Sequence, residues 1–389
     1  MQPQRWAWVD VDLDAIRHNV ELLRTTVAPS DVWVVVKANG YGHGAFAVAR
    51  AALDAGAVGL CVALVQEGVE LRRFGIDAPI LVLSEQPPDA AAAIVANDLT
   101  PTVYTDDFID ALAAVALGTN RSDRPVHVKV DTGMQRVGAQ PEAIAALVRR
   151  IGERSPALRL GGVFTHLAMA DEPGDDFTAV QLDRLDQVLS SLALTGDVAV
   201  HAANSAGALA HPAARRSFVR AGIAAYGISP GHGVDHLCQG LRPALSLRAR
   251  VSFVKTVRAG SRISYGLRHA FDRDTTVATV PIGYADGVPR RLSSTGGEVL
   301  IAGRRCPIVG VVTMDQLMVD CGPGGGVDGD AVAVGDEVVL IGEQDGPDGP
   351  ARIRVEDWAD RLGTIGYEIV CGIGARMPRL ASNSIGSNG

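Results

Sequence analysis

Lys37 closes an apolar run, Trp33-Val34-Val35-Val36, and heads the segment Ala38-Asn39-Gly40-Tyr41-Gly42-His43-Gly44. A lysine at the end of a partly buried strand has a disfavoured ammonium, and its amine becomes available to form a Schiff base with a carbonyl. The glycines behind it let the backbone approach a ligand closely. A solvated strand end followed by a turn accounts for the same residues, so other positions must decide. Val130-Asp131-Thr132-Gly133-Met134-Gln135-Arg136, Phe164-Thr165-His166, Ala202-Ala203-Asn204-Ser205 and Arg220-Ala221-Gly222-Ile223 also place polar groups at the ends of apolar runs. His166 and Arg220 interrupt such runs, and buried charge is tolerated only with partners. Ser205 and Gly222 offer a hydroxyl and a backbone N–H to a phosphate. A glycine that merely relieves packing is the alternative at 222.

These residues need a scaffold that brings strand ends together. Eight short apolar runs, at 32–36, 58–64, 80–83, 101–104, 126–130, 160–167, 198–202 and 219–224, alternate with amphipathic stretches. Before the first run, Leu13, Ile16, Val20, Leu23 and Val27 follow the three-and-four spacing of a helix face. Residues 45–55 and 106–116 are Ala-rich helical stretches. Strands alternating with helices in this number predict an α/β fold with an eight-stranded parallel, TIM-like β/α barrel over 13–235, and such barrels work at the C-terminal ends of their strands. A doubly wound sheet is the rival, but no G-x-G-x-x-G turn follows the first strand. After residue 240, β-branched runs at 245–257, 275–282, 298–301, 307–312, 317–320 and 337–341 are separated by Gly, Pro and Asp turns. Helical periodicity returns only near 355–362. The expectation is a mostly β C-terminal domain over 236–380, joined by an N-terminal strand at 5–12. A Gly-rich turn is expected at 322–329, and the tail 381–389 has nothing to bury and is expected to be disordered.

Composition narrows the function. The 389 residues (40.6 kDa) are 47% hydrophobic and 21% charged, the balance of a core-forming protein. Thirty-six basic against 44 acidic residues give a net charge of -8, without the basic stripe of a nucleic-acid binder. No apolar run reaches the ~18 residues of a membrane span, and the first residues have no signal-peptide core. Cys61, Cys238, Cys306, Cys321 and Cys371 are scattered, odd in number and form no C-x-x-C pair. That pattern points to reduced cytoplasmic thiols rather than a disulfide framework or a metal site. A small-molecule partner is expected, with neither nucleic acid nor membrane.

The stretch Val-Val-Val-Lys-Ala-Asn-Gly-Tyr-Gly-His-Gly at 34–44 closely resembles the pyridoxal-phosphate attachment segment of alanine racemases. Four further stretches match that family in order: Lys129-Val130-Asp131-Thr132-Gly133-Met134-Gln135-Arg136, Ile263-Ser264-Tyr265-Gly266, Gly283-Tyr284-Ala285-Asp286-Gly287 and Val312-Thr313-Met314-Asp315. The likeness runs from about residue 6 to 380. It implies a homodimer with shared active sites that interconverts L- and D-alanine on pyridoxal 5'-phosphate and supplies D-alanine for peptidoglycan. Lys37 would carry the cofactor and act as the base on the D side. Tyr265, reaching the other subunit's cofactor, would be the base on the L side, assisted by Arg220 through His166. Arg220 would meet the pyridine nitrogen and, keeping its own proton, would leave that nitrogen largely unprotonated. Arg136 and the backbone N–H of Met314 would hold the substrate carboxylate. Tyr41, Ser205, Gly222, Ile223 and Tyr367 would hold the phosphate, and Tyr284 would line the entrance. Lys129 would be carbamylated, turning a cation beside Arg136 into an orienting anion. Val311 departs from the family, many of whose members place an arginine there. The rivals are a racemase of broader range acting on serine, a decarboxylase of basic amino acids and a non-catalytic pyridoxal-phosphate-binding protein. Arg220 opposes the decarboxylase, which usually sets an acid against the pyridine nitrogen, and the β domain opposes the binding protein.

Overall fold

The computed structural model describes residues 5–383 apart from 193, 195, 196, 325, 328 and 329. The chain divides into two units, Ala15–Arg242 and residues 1–14 with 243–389. The first is built on eight parallel strands: β2 (Asp31–Val35), β3 (Gly59–Val62), β4 (Ile80–Val82), β5 (Thr100–Val103), β6 (Arg124–Lys129), β7 (Leu158–Phe164), β8 (Ala199–His201) and β9 (Phe218–Ala221), with β1 (Ala7–Asp12) belonging to the other unit. Consecutive strands pair from β2 to β8, and β9 returns to β2 with Trp33 opposite Arg220. Across the remaining seam, Ser217 N–H donates to the Val200 carbonyl at 2.9 Å and Arg220 N–H to that of Ala203 at 3.0 Å. The barrel is thereby nearly closed. Each strand overlaps one of the eight apolar runs, because parallel strands covered on both faces carry continuous hydrophobic sequence.

The barrel interior is filled by rings. Trp33 stacks on Phe218 (centroids 4.6 Å apart), Phe218 on His201 (4.2 Å) and His201 on Phe164 (4.4 Å). Glycine makes the space: a Cβ at Gly59 would stand 2.6 Å from the Trp33 ring, and one at Gly162 would stand 2.7 Å from that of His127. The border expected at 235 moves to 242. Buried Asn19, on the helix Leu13–Val27, donates to the Arg242 carbonyl and accepts from its N–H, both at 2.8 Å, which holds that segment to the barrel unit.

The second unit is a long, mainly antiparallel sheet. Strand β1 lies between Leu245–Arg250, antiparallel with Val9 opposite Leu247, and Arg379–Ser382, parallel with Val9 opposite Arg379. Alternate residues Leu245, Leu247 and Ala249 face the core. The run at 245–257 is two strands: Val251 turns to Asp336 and Ser252 to Thr279, and Phe253–Val257 then pairs with Thr275–Val280. The helix Val355–Leu362 falls where periodicity predicted it and buries Trp358. A second, unforeseen helix follows at Gly366–Cys371. The expected tail begins too early, since ladder partners Ala381 and Ser382 continue the last strand; residues 384–389 lie outside the described residues. Three positions of the expected turn at 322–329 (325, 328 and 329) also lie outside them. Among the described residues no helix is long and apolar enough to cross a membrane.

Candidate active site

The C-terminal end of β2 delivers Lys37, half-buried, into an unusual turn. Ala38, Asn39, Gly40 and Tyr41 all have positive φ (52°, 53°, 61° and 49°), one left-handed turn in a right-handed chain. Such backbone costs an L-residue roughly 1–2 kcal/mol, so neighbours must hold it. Glu67 does so: its carboxylate accepts from Ala38 N–H at 2.6 Å and from Ala63 and Leu64 N–H at 2.8 and 3.0 Å. Asn39 accepts from Ala45 N–H at 3.0 Å, tying the turn to the next helix. Buried Tyr41 packs on Tyr226, whose hydroxyl donates to the Val35 carbonyl at 2.8 Å.

Beside this turn, β8 and β9 build a cradle. The N–H groups of Gly222 and Ala224 point at Ser205 Oγ, at 2.9 and 3.2 Å. Gly222 also leaves room that no other residue would, since its Cβ would sit 2.8 Å from Tyr41 Oη and 3.7 Å from Ser205 Oγ. Two amides and two hydroxyls thus gather around one glycine, with Ile223 buried next to it.

Arg220 lies across the barrel from inside. Its Nη2 donates to the carbonyls of Thr165 and Ala202, both at 2.9 Å, and lies 3.3 Å from His166 Nδ1. Its Nη1 lies 2.7 Å from His201 Nδ1, and His201 Nε2 lies 3.0 Å from His127 Nδ1. Arginine only donates, so His201 Nδ1 is the acceptor; its proton sits on Nε2 and is given to His127. Burial, with Arg220 close by, keeps both His166 and His201 neutral, well below the ordinary histidine range. Burial also lowers His127 to about 3 and Arg220 to about 10.

The cationic character is pronounced. Lys129, buried at the end of β6 with its ammonium over the Phe164 ring, is lowered to about 8, first by burial and then by Arg220, Arg136 and Lys37. Arg136 is carried on a turn that Asp131 organises by accepting from the N–H groups of Gly133 and Gln135. Lys129, Asp131, Met134, Arg136 and His166 line one narrow cleft. Two basic side chains, Lys129 and Arg136, beside the single carboxylate of Asp131 suit an anionic ligand. The thiol of Cys61, pushed up to about 12 by burial, offers no nucleophile.

Lys37, Tyr41, Lys129, Arg136, His166, Ser205, Arg220, Gly222 and Ile223 are therefore gathered by the C-terminal ends of the barrel strands. Tyr265, Tyr284, Met314 and Tyr367 belong to the β unit. There Ser264 Oγ accepts from Val311 N–H at 3.1 Å, which ties the Tyr265 turn to the loop leading to Met314. Tyr284 and Ala285 donate to the carbonyls of Thr313 and Met314, both at 3.0 Å. Gly283 permits that approach, since its Cβ would come within 2.2 Å of the Thr313 carbonyl oxygen. Buried Asp286 anchors the corner, accepting from Arg5 and Gly283. Tyr265, Tyr284 and Met314 so share one corner and are exposed, Tyr265 by 74%. Tyr367 stands on the helix Gly366–Cys371. The sequence reading missed His127, His201 and Glu67. An alternating Val126-His127-Val128-Lys129 and a histidine inside 198–202 were the available signals for the first two; Glu67 had none.

Two family models match: the alanine racemase N-terminal domain over residues 11–230 and the alanine racemase C-terminal domain over 244–381. An alanine racemase of Symbiobacterium thermophilum is 48% identical over 377 residues, 96% of this chain and 97% of that protein. The crystal structure of alanine racemase from E. faecalis superposes with a TM-score of 0.89 at 36% identity, covering 97% of this chain and 98% of that one. The alanine racemase from Bacillus anthracis with bound L-Ala-P gives 0.88 at 38% identity, covering 99% and 97%.

Proposed function

The chain belongs to the alanine racemase family and interconverts L-alanine and D-alanine, and we propose that it does so with pyridoxal 5'-phosphate on Lys37 in a dimer whose partner lends Tyr265. The residues present fit that cofactor. The amides of Gly222 and Ala224 with the hydroxyls of Ser205 and Tyr41 suit a phosphate, and the missing side chain at Gly222 lets the Tyr41 hydroxyl come close to them. That cradle, beside the Lys37 turn and a buried Arg220, is the observation that carries the reading. When bound, the cofactor supplies an electron sink that stabilises the charge left at the α-carbon as its proton departs.

The protein's own part is orientation and proton traffic. Ser205, Gly222, Ile223, Tyr41 and Tyr367 would hold the phosphate. Arg136 and the Met314 N–H would hold the substrate carboxylate, with Lys129 beside them as a carbamate and Tyr284 narrowing the entrance. Arg220 would face the ring nitrogen as a donor that keeps its proton, with His166 beside it. Racemisation takes a proton from one face and returns it to the other, so two bases are needed. The Lys37 amine would serve the D side and the Tyr265 phenol the L side. Dimerisation is supported by the exposed corner: Tyr265, Leu267, Tyr284 and Met314 form apolar surface of the kind an interface covers. None of the five cysteines is in a disulfide, which supports a cytoplasmic location, and D-alanine for peptidoglycan is the product's proposed use.

The test is L-alanine in deuterium oxide, followed by proton NMR and circular dichroism. Loss of the α-proton signal together with optical activity is expected. Bound cofactor without exchange would replace the reading with a binding protein, and faster exchange of serine in an amino-acid panel would replace its substrate.

A further inference from the structure

Cys306 and Cys321 form a thiol pair that the racemase site does not use. They lie on neighbouring antiparallel strands, Arg304–Val309 and Leu317–Asp320, or one residue beyond. The ladder sets Ile308 opposite Val319 and Val309 opposite Met318, and two residues further it brings Cys306 opposite Cys321. Each thiol donates to a carbonyl of its own strand, Cys306 to Arg304 at 3.8 Å and Cys321 to Val319 at 4.0 Å. Both line a surface pocket with Arg273, Arg304, Arg305 and Asp320. No group of three or more His, Cys, Asp or Glu among the described residues is arranged to hold a metal, so two sulfurs act here without further ligands.

The pair is asymmetric. The nearness of the two sulfurs raises the Cys306 thiol and lowers that of Cys321, so Cys321 is the sulfur that ionises first. An ionised sulfur in an arginine-lined pocket is a nucleophile for thiol–disulfide exchange.

We propose that Cys306 and Cys321 are a reversible dithiol–disulfide modification site whose oxidant is a small carboxylate-bearing disulfide admitted by Arg273, Arg304 and Arg305. The Cys321 thiolate attacks one sulfur of the oxidant; its S–S bond breaks and the departing thiolate takes up a proton. Cys306 then loses its proton, attacks Cys321 Sγ in the mixed disulfide and expels the second small thiol. Two protein thiols yield two electrons and two protons, one protein disulfide forms, and the oxidant leaves as two thiols. The new bond ties the open end of the hairpin whose turn carries Thr313, Met314 and Asp315.

The experiment uses the reduced full-length protein and oxidised glutathione, read by intact mass, peptide mapping and thermal melting. The wild type should lose the Cys306 and Cys321 thiols, keep no adduct at either position, yield a linked 306–321 peptide and melt several degrees higher. Cys306→Ser should retain one glutathionyl group on Cys321, and Cys321→Ser should react at Cys306 at least tenfold more slowly. Modification confined to the exposed Cys371, or equal adduct formation at 306 and 321 in the two variants, overturns the assignment. The wild-type mapping decides the matter even where a serine variant folds poorly.

Discussion

Arg220 gives a 2.7 Å hydrogen bond to Nδ1 of His201, and that one bond sets where the proton sits on a fully buried ring. Neither group has water to fall back on. His201→Phe keeps the ring between Phe164 and Phe218 but strands a guanidinium hydrogen. The expected loss is about 1–3 kcal/mol of stability, read from urea unfolding, with a shifted absorbance of the bound cofactor. A variant as stable as the wild type with an unchanged spectrum would show that Arg220 does not need this acceptor.

Lys37→Ala and Tyr265→Phe should each be inactive or nearly so, for different reasons. The first should lose the visible absorbance of the attached cofactor. The second should keep it and lose α-proton removal from L-alanine far more than from D-alanine. Mixed after reversible dissociation, the two should regain about a quarter of wild-type turnover, since half of randomly paired two-fold dimers would hold one intact site. No recovery, despite proven subunit exchange, would argue that each chain supplies its own tyrosine.

Gly222→Ala would place a methyl group 2.8 Å from the Tyr41 hydroxyl and against Ser205. Overpacking of this kind costs about 1–3 kcal/mol, so dissociation of pyridoxal 5'-phosphate, followed by fluorescence, should rise roughly tenfold or more. Unaltered affinity would remove Gly222 from the phosphate site.

Lys129 has a folded pKa of about 8 against 10.5 for an exposed lysine, chiefly from burial. The unfolded chain therefore binds this proton more tightly. Its burial costs stability below pH 8, and the cost is relieved as pH rises from about 8 to 10.5. In buffer free of carbon dioxide, wild-type stability relative to Lys129→Met should climb across that window; a flat difference would contradict the buried amine. The same accessible neutral form should take up carbon dioxide. Carbon-13 bicarbonate should give a carbamate signal in the wild type that Lys129→Met lacks.

The barrel could be read from sequence because each of its strands is sealed on both faces and shows it as an apolar run. Lys37, His166 and Arg220 stood out because charge inside such runs needs a reason. What escaped is set by distance in the chain. Glu67 steadies a turn 29 residues away, and His127 meets His201 across 74. The turn itself was half legible: glycines at 40, 42 and 44 announced it, yet Ala38, Asn39 and Tyr41 adopt the same left-handed backbone without that signal. The Tyr265 hairpin was not visible, because its strands, Arg262–Ile263 and His269–Ala270, are too short to show alternation. The final strand was missed because Ala381 and Ser382 pair through backbone alone.

Strand β1 sits between two partners that are translated after the whole barrel, Leu245–Arg250 and Arg379–Ser382. At about 5–20 residues per second on the ribosome, it waits on the order of tens of seconds for the first and longer for the second. During that interval the barrel can complete itself, while the nascent β1 has neither neighbour. A chaperone that shields Ala7–Asp12 should therefore raise the yield of active enzyme more than one acting on any barrel strand, each of which meets a neighbour soon after it emerges.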